Sequence, residues 1–293
     1  MTQIPRRNIS ELFFLYEVEP NIIDIFVEGP FDKAIIQFFL NEISIHNVSV
    51  YEIETIEIDD EELISLGRKA NNRERAMLLS EKFDAAGINS NQLICIIDKD
   101  FCHFLGECVN TPQLLYTDFS CMEMYFFDDK IIKKFLTTFC YKNDWPCDQL
   151  LESISKYIER IYLFRLINEA LNWQMAMFDR VICISIKDWK IIFDEDEFIK
   201  RLLNKNQRNN EFDEFNSNIL LHEKNLLEDS RYQMHGHDFI NIFSFFLKKK
   251  GVSKEIANIT AVSRALILTL STSFLLQYDL FDLLLKRVMV PTE

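Results

Sequence analysis

The chain has 293 residues, enough for one large domain or two of ordinary size, and its 48% apolar content supports a packed core and excludes a disordered protein. Its six glycines form neither a Walker loop nor a GxGxxG, so nucleotide phosphates are not expected to bind this chain by itself. The net charge of −14 is uneven: residues 1–127 carry 9 basic and 22 acidic side chains and residues 128–293 carry 23 and 24, which excludes a broad basic footprint and leaves substrate contact to bound cations, local basic patches or another chain.

Ile22 to Val27 is a short apolar run ending at Glu28-Gly29-Pro30, the pattern of a buried strand entering a tight turn. Asp32 to Glu42 predicts a helix with Ala34, Ile35, Phe38 and Phe39 on one face. Val48 to Ile58 predicts a second strand region. It overlaps a run of seven acids from Glu52 to Glu62 that is either a solvated surface or a docking face for a basic partner. Arg73 to Ala86 predicts a helix, and Gly87 suits its stop. Leu93 to Ile97 predicts a third buried strand, ending at Asp98-Lys99-Asp100. Leu114 to Tyr116 predicts a short fourth strand, and Met122 opens the next element.

Beyond residue 128 helical periodicity dominates, over 130–139, 147–178, 195–203, 212–227, 239–250 and 253–270. Residues 181–186 and 190–193 read as short strands or extended connectors, and 204–218 as an exposed loop with a helix start. The expected fold is therefore α/β: a parallel sheet flanked by helices over 1–127, then a mostly helical domain over 128–293. The most apolar stretch, 261–285, is broken by Arg264, Asp279 and Asp282 and reads as core helix, not membrane span. No apolar secretory segment opens the chain, and the seven cysteines form no CxxC pair, which predicts free thiols in a reducing cytoplasm. Cys102, His103 and Cys108 lie close together, but their spacing and the lack of a fourth ligand favour thiols over zinc.

Ligands on parallel sheets gather outside the carboxyl ends of strands. Glu28, Asp98 and Asp100 all fall at such ends. Hard cations such as Mg²⁺, and Mn²⁺ in its place, take carboxylate oxygens, and in two-metal sites ions about 3.5–4 Å apart stabilise the attacking and leaving oxygens of a phosphodiester. If the third strand stays extended, Asp98 and Asp100 project to one side, with Glu28 approaching from a neighbouring strand and Asp32 one helical turn further on. Each acid has a structural reading as well: Glu28 and Asp32 suit a helix N-terminus, Asp98 and Asp100 a turn. Lys99 is expected to point away, into a contact within the fold.

The segment Ile25-Phe26-Val27-Glu28-Gly29-Pro30-Phe31-Asp32, followed by Ile96-Ile97-Asp98-Lys99-Asp100, resembles the Toprim pattern of one strand ending in Glu-Gly and a later one ending in Asp-x-Asp. Ser120-Cys121-Met122-Glu123 resembles the Ser-x-x-Glu element of overcoming-lysogenization-defect (OLD) nucleases. His235-Gly236-His237-Asp238 resembles their Gly-Lys-Asp element, with His237 in place of the lysine. The likeness spans residues 20–128 and, more weakly, 235–246, and is greatest to the AriB-type effectors of two-component PARIS anti-phage systems. It implies a Toprim-like fold and a Mg²⁺-dependent nuclease. Glu28, Asp32, Asp98, Asp100 and Glu123 would hold metal, and Glu28, Asp98, Asp100, Glu123 and His237 would be catalytic. It further implies a toxin held by a separate ABC-type ATPase, with host tRNA as substrate and a homodimer as an open alternative for the active form. His237 also reads as a structural or surface histidine. A non-enzymatic Toprim-like subunit that binds a cation or a basic partner is the alternative, and the acidic first half favours it. A phosphatase is disfavoured because Asp-x-Asp follows the third strand and not the first.

Overall fold

The computed structural model describes residues 6–106, 108–178 and 182–289. In chain order its elements begin α1 (Ile9–Val18), β1 (Ile23–Val27), α2 (Pro30–Glu42), β2 (Val48–Glu52), α3 (Asp60–Ser65), α4 (Asn72–Ala85), β3 (Leu93–Ile97), α5 (Cys102–Leu105) and β4 (Leu114–Tyr116). They continue with α6 (Asp129–Phe139), α7 (Cys147–Ala170), β5 (Ile184–Lys187), β6 (Lys190–Phe193), α8 (Glu195–Lys205), α9 (Phe212–His222), α10 (Gly236–Lys249), α11 (Ile259–Ile267), α12 (Thr272–Leu275) and α13 (Asp279–Met289). The fold is α/β, with a parallel four-stranded sheet flanked by helices and a helical C-terminal part.

The chain packs as two units, one of residues 1–99, 108–118 and 271–293, the other of 100–107 and 119–270. A single cut after residue 127 therefore differs from the observed division. The chain's last helices return to the first unit because that unit caps and packs them. The Asp118 carboxylate accepts the backbone N–H groups of Asp279 (2.9 Å) and Leu280 (3.3 Å) at the start of α13. Phe281 then meets Phe39 of α2 edge to face, ring centres 5.0 Å apart.

In the first unit the sheet order is β2-β1-β3-β4, all parallel, with Val27 beside Glu52 on one side and beside Ile96 on the other. Every residue of β1 and β3 is buried, which is why both read as unbroken apolar runs. The exception is Asp24, 2% exposed in the middle of β1. It accepts the Tyr16 hydroxyl (3.0 Å) and pairs with Arg7 (3.6 Å), fixing α1 against the sheet, and burial pushes its carboxyl above the ordinary range. The expected strand over 48–58 ends at Glu52; a 3₁₀ turn at Ile53–Thr55 intervenes before Ile56 bridges to Arg7. The acidic run is partly neutralised within the unit, through Lys33–Glu52, Arg75–Asp60 and Lys82–Glu62, and Asn72 donates a hydrogen bond to Glu54.

The second unit is built on the 24-residue α7. Arg165 of α7 grips Asp238 of α10 with two bonds of 2.9 Å, a fork-on-carboxylate pair that sets the two helices together. The expected helix over 147–178 stops at Ala170, and left-handed residues at Asn172 and Gln174 turn the chain away. Segments 184–187 and 190–193 pair as an antiparallel hairpin. The helix expected over 261–285 is instead the separate helices α11, α12 and α13. Ser271 caps α12 through the Phe274 N–H, and that cap starts a new helix inside an apolar stretch. No helix among the described residues is long and apolar enough to cross a membrane.

Candidate functional site

The strand order reverses between β1 and β3: β2 lies on the far side of β1, and β4 on the far side of β3. Such a reversal opens a crevice beyond the carboxyl ends of the two strands, the usual ligand position on an open parallel sheet. Glu28 and Asp98 are the residues that follow those two ends. The Glu28 carboxylate accepts the Asp98 backbone N–H at 2.8 Å, so the two expected site residues meet across the reversal. Both are half-buried.

Helix α4 closes the same crevice. Asn71 caps it through the Glu74 N–H, which leaves Asn72 and Arg73 on its first turn. Asn72 donates to the Glu28 carbonyl (2.8 Å), and the Arg73 guanidinium reaches the Asp98 carbonyl (3.4 Å). A cation and the positive end of a helix therefore stand beside the acids. The sequence places Arg73 at the start of the predicted helix; the Asn-Asn before it is the capping signal that positions it.

Asp32 has the structural role. Its carboxylate accepts the Gly29 N–H at 3.0 Å and caps α2, the task considered for Glu28. Lys99 turns into the unit as expected: its amine donates to the Asp118 carbonyl (3.0 Å) and its N–H to the Thr117 hydroxyl (3.0 Å). The alternation expected of Asp98 and Asp100 fails. Strand β3 ends at Ile97, and Asp100 sits in the left-handed region at φ 44°, which aspartate tolerates better than most residues. Asp100 is held within the second unit, its N–H on the Ser120 carbonyl and its carbonyl on the buried Tyr162 hydroxyl, each at 2.8 Å.

The second unit also joins the two later sequence elements. Ser120 donates through its hydroxyl to the carbonyls of Arg231 (2.9 Å) and Met234 (2.5 Å), and its N–H donates to Arg231 as well (3.1 Å). That stitching lays Gly236 against the Glu123 carboxyl so closely that a Cβ at position 236 would overlap it. Burial raises the Glu123 carboxyl above its ordinary range, and a backbone hydrogen bond, the charge of His237 and Cys121 pull it partly back. His237 itself is exposed. Its neighbour His235 is mostly buried, its Nδ1 has no hydrogen-bond partner among the described residues, and burial lowers its pKa to about 4. No sequence signal singled out His235.

Within either unit, among the described residues, no three His, Cys, Asp or Glu side chains form a group that could hold a metal ion. Cys102 is buried, Cys108 is exposed, and the His103 ring lies edge-on to Tyr232 at 5.3 Å. Mg²⁺ asks less of a protein, one or two carboxylates with its remaining positions left to water and substrate phosphate, and the hard oxygens of Glu28 and Asp98 fit that demand.

The fold and crevice define an open parallel α/β protein with a polar site at its switch point. Compared with protein-family models and with curated proteins, the chain matches none.

Proposed function

We propose that the chain is a Toprim-type nuclease that hydrolyses a phosphodiester bond in nucleic acid, host tRNA being the implied substrate, with Mg²⁺ (or Mn²⁺) held at Glu28 and Asp98. The observation that carries this reading is the Glu28 carboxylate resting on the Asp98 amide at the strand reversal. Asp32 drops to a supporting role because it caps α2, and Asp100 and Glu123, which belong to the second unit, rest on the sequence pattern alone. Bound there, Mg²⁺ would supply Lewis-acid stabilisation of the negative charge that grows on the phosphoryl oxygens.

The chain's own groups do the rest. Arg73 and the first turn of α4 attract a phosphate into the crevice. Glu28 takes a proton from the attacking water; the water oxygen bonds to phosphorus as the P–O bond to the leaving oxygen breaks, and the proton held by Glu28 passes through solvent to the leaving oxygen, which restores the carboxylate. The hydrogen bond accepted from the Asp98 N–H holds the Glu28 carboxylate in one orientation, so little reorganisation is needed.

A toxic activity of this kind needs restraint, and the reading includes a separate ABC-type ATPase as the partner. The test is incubation of the purified chain with tRNA and with DNA, with Mg²⁺ or with EDTA. Cleavage of tRNA only with the metal is the expected result; intact tRNA and DNA at every Mg²⁺ concentration would remove the reading.

A further inference from the structure

The second unit carries an aromatic and cationic cluster on its surface, apart from the Glu123 and His237 region. Its base is the hairpin turn Asp188–Trp189 between β5 and β6. Trp189 stacks on Phe246 of α10 (6.0 Å, 22°) and meets Trp145 edge to face at 5.1 Å. Lys250 lies over the Trp189 ring at 4.3 Å and donates to the Asp188 carbonyl, and Lys142 lies over Trp145 at 5.7 Å. Large rings at a two-residue turn, fixed by packing, make a rigid platform where turns ordinarily use Gly or Asn.

Two features of this cluster work against folding. Lys187 and Lys190 face each other directly across the hairpin, both exposed, a like-charge pair that destabilises a ladder. Tyr141, which follows α6 and precedes Lys142, holds φ 54° with its ring 82% exposed. That left-handed position after a helix ordinarily belongs to glycine, and a bulky residue there is strained. Neither the charge pair nor the exposed ring is needed to pack the unit. Asp144 and Asp188 lie on the same turns, and the charge of Lys190 also reaches Glu152 of α7.

Opposed ammonium groups lose their repulsion when phosphates lie on them, and an exposed ring gains by stacking on a base. We propose that this cluster binds a single-stranded nucleic-acid segment, with Lys142, Lys187 and Lys190 on its phosphates and Tyr141 under an unpaired base. This deepens the nuclease reading and rests on it for the substrate class.

The experiment measures binding of a fluorescein-labelled oligouridylate to the full chain in EDTA, so that binding and cleavage are read apart. A duplex RNA of equal length is the comparison. Tyr141→Gly should melt no lower than the parent, because glycine suits that backbone, yet bind the oligouridylate about tenfold more weakly. Lys187→Gln with Lys190→Gln should flatten the dependence of log affinity on log salt by about 1.4, two phosphate contacts on a single strand. The duplex should bind more weakly than the single strand. Equal binding by Tyr141→Gly and parent, an unchanged salt slope, or a duplex bound as tightly would overturn the inference. Binding without cleavage at any Mg²⁺ concentration supports this surface and removes the nuclease reading alone.

Discussion

Glu28 is the residue on which the account turns, and its hydrogen bond decides how it must be tested. Alanine would remove the charge and also strand the Asp98 N–H, at about 1–2 kcal/mol. Glutamine keeps the accepting oxygen and removes only the charge, so Glu28→Gln should unfold within about 1 kcal/mol of the parent in denaturant titration. Gly236 is fixed by a different contact. Gly236→Ala pushes a methyl into the Glu123 carboxyl and should cost about 1–3 kcal/mol. Adding Glu123→Ala makes room, so the double variant should be more stable than the two single losses predict; strict additivity would mean the two sites do not touch. His235 gives a pH signature. Burial lowers its pKa from an ordinary 6.5 to about 4, so the fold favours the neutral ring. Its contribution is complete above pH 6.5 and is lost as the pH falls towards 4. Between pH 7 and 4.5 the parent should lose about 2 kcal/mol more than His235→Gln. The raised carboxyl of Glu123 acts with the opposite sign but is common to both proteins, so it cancels in the comparison. Equal losses would contradict the buried, neutral ring. Glu28 and Asp98 were legible in the sequence because each follows a buried, largely apolar strand. His235 was not, since nothing in its neighbours marks a buried ring nitrogen.

Elements buried on both faces were the readable ones. β1 and β3 appear as five-residue apolar runs because helices cover the sheet on either side. The alternation argument for Asp98 and Asp100 failed because it assumed that the strand outlasts its ladder, whereas the last pair is Ile97 with Tyr116. Helix α1 escaped notice since apolar residues ring it, Phe14 and Val18 exposed while Leu12 and Tyr16 are buried, so no one-sided stripe shows. The return of α13 to the first unit depends on contacts far apart in the chain, Asp118 with Asp279 and Phe39 with Phe281, which no local pattern announces. That return carries a prediction. Phe281 is fully buried, so Phe281→Ala should cost about 3–5 kcal/mol by chemical denaturation, and a chain ending at residue 270 should not yield a stable first unit. A cooperative, native-like melt of that shortened chain would show that α12 and α13 are dispensable.

Across the whole molecule the charge is the feature that sequence reading weighed best and placed least well. The acidic run between Glu52 and Glu62 reads as a solvated surface or a docking face, yet Glu52, Glu54, Asp60 and Glu62 are engaged within the first unit. The exposed Glu57, Asp59 and Glu61 remain as the part offered to a basic partner. Reversing those three to lysine should abolish co-purification with the proposed ATPase, which the parent should retain at moderate salt and lose as salt rises. Undiminished co-purification of the variant would place the interface elsewhere. The central claim is that the paired strand ends at Glu28 and Asp98 hold a metal for phosphodiester hydrolysis. It is tested most directly by titrating Mg²⁺ into parent and Glu28→Gln proteins on the same tRNA, after matching their thermal unfolding. The account predicts metal-dependent cleavage by the parent and a loss of at least about a hundredfold in the variant at equal stability. A folded Glu28→Gln protein that cleaves at the parent's rate would contradict it.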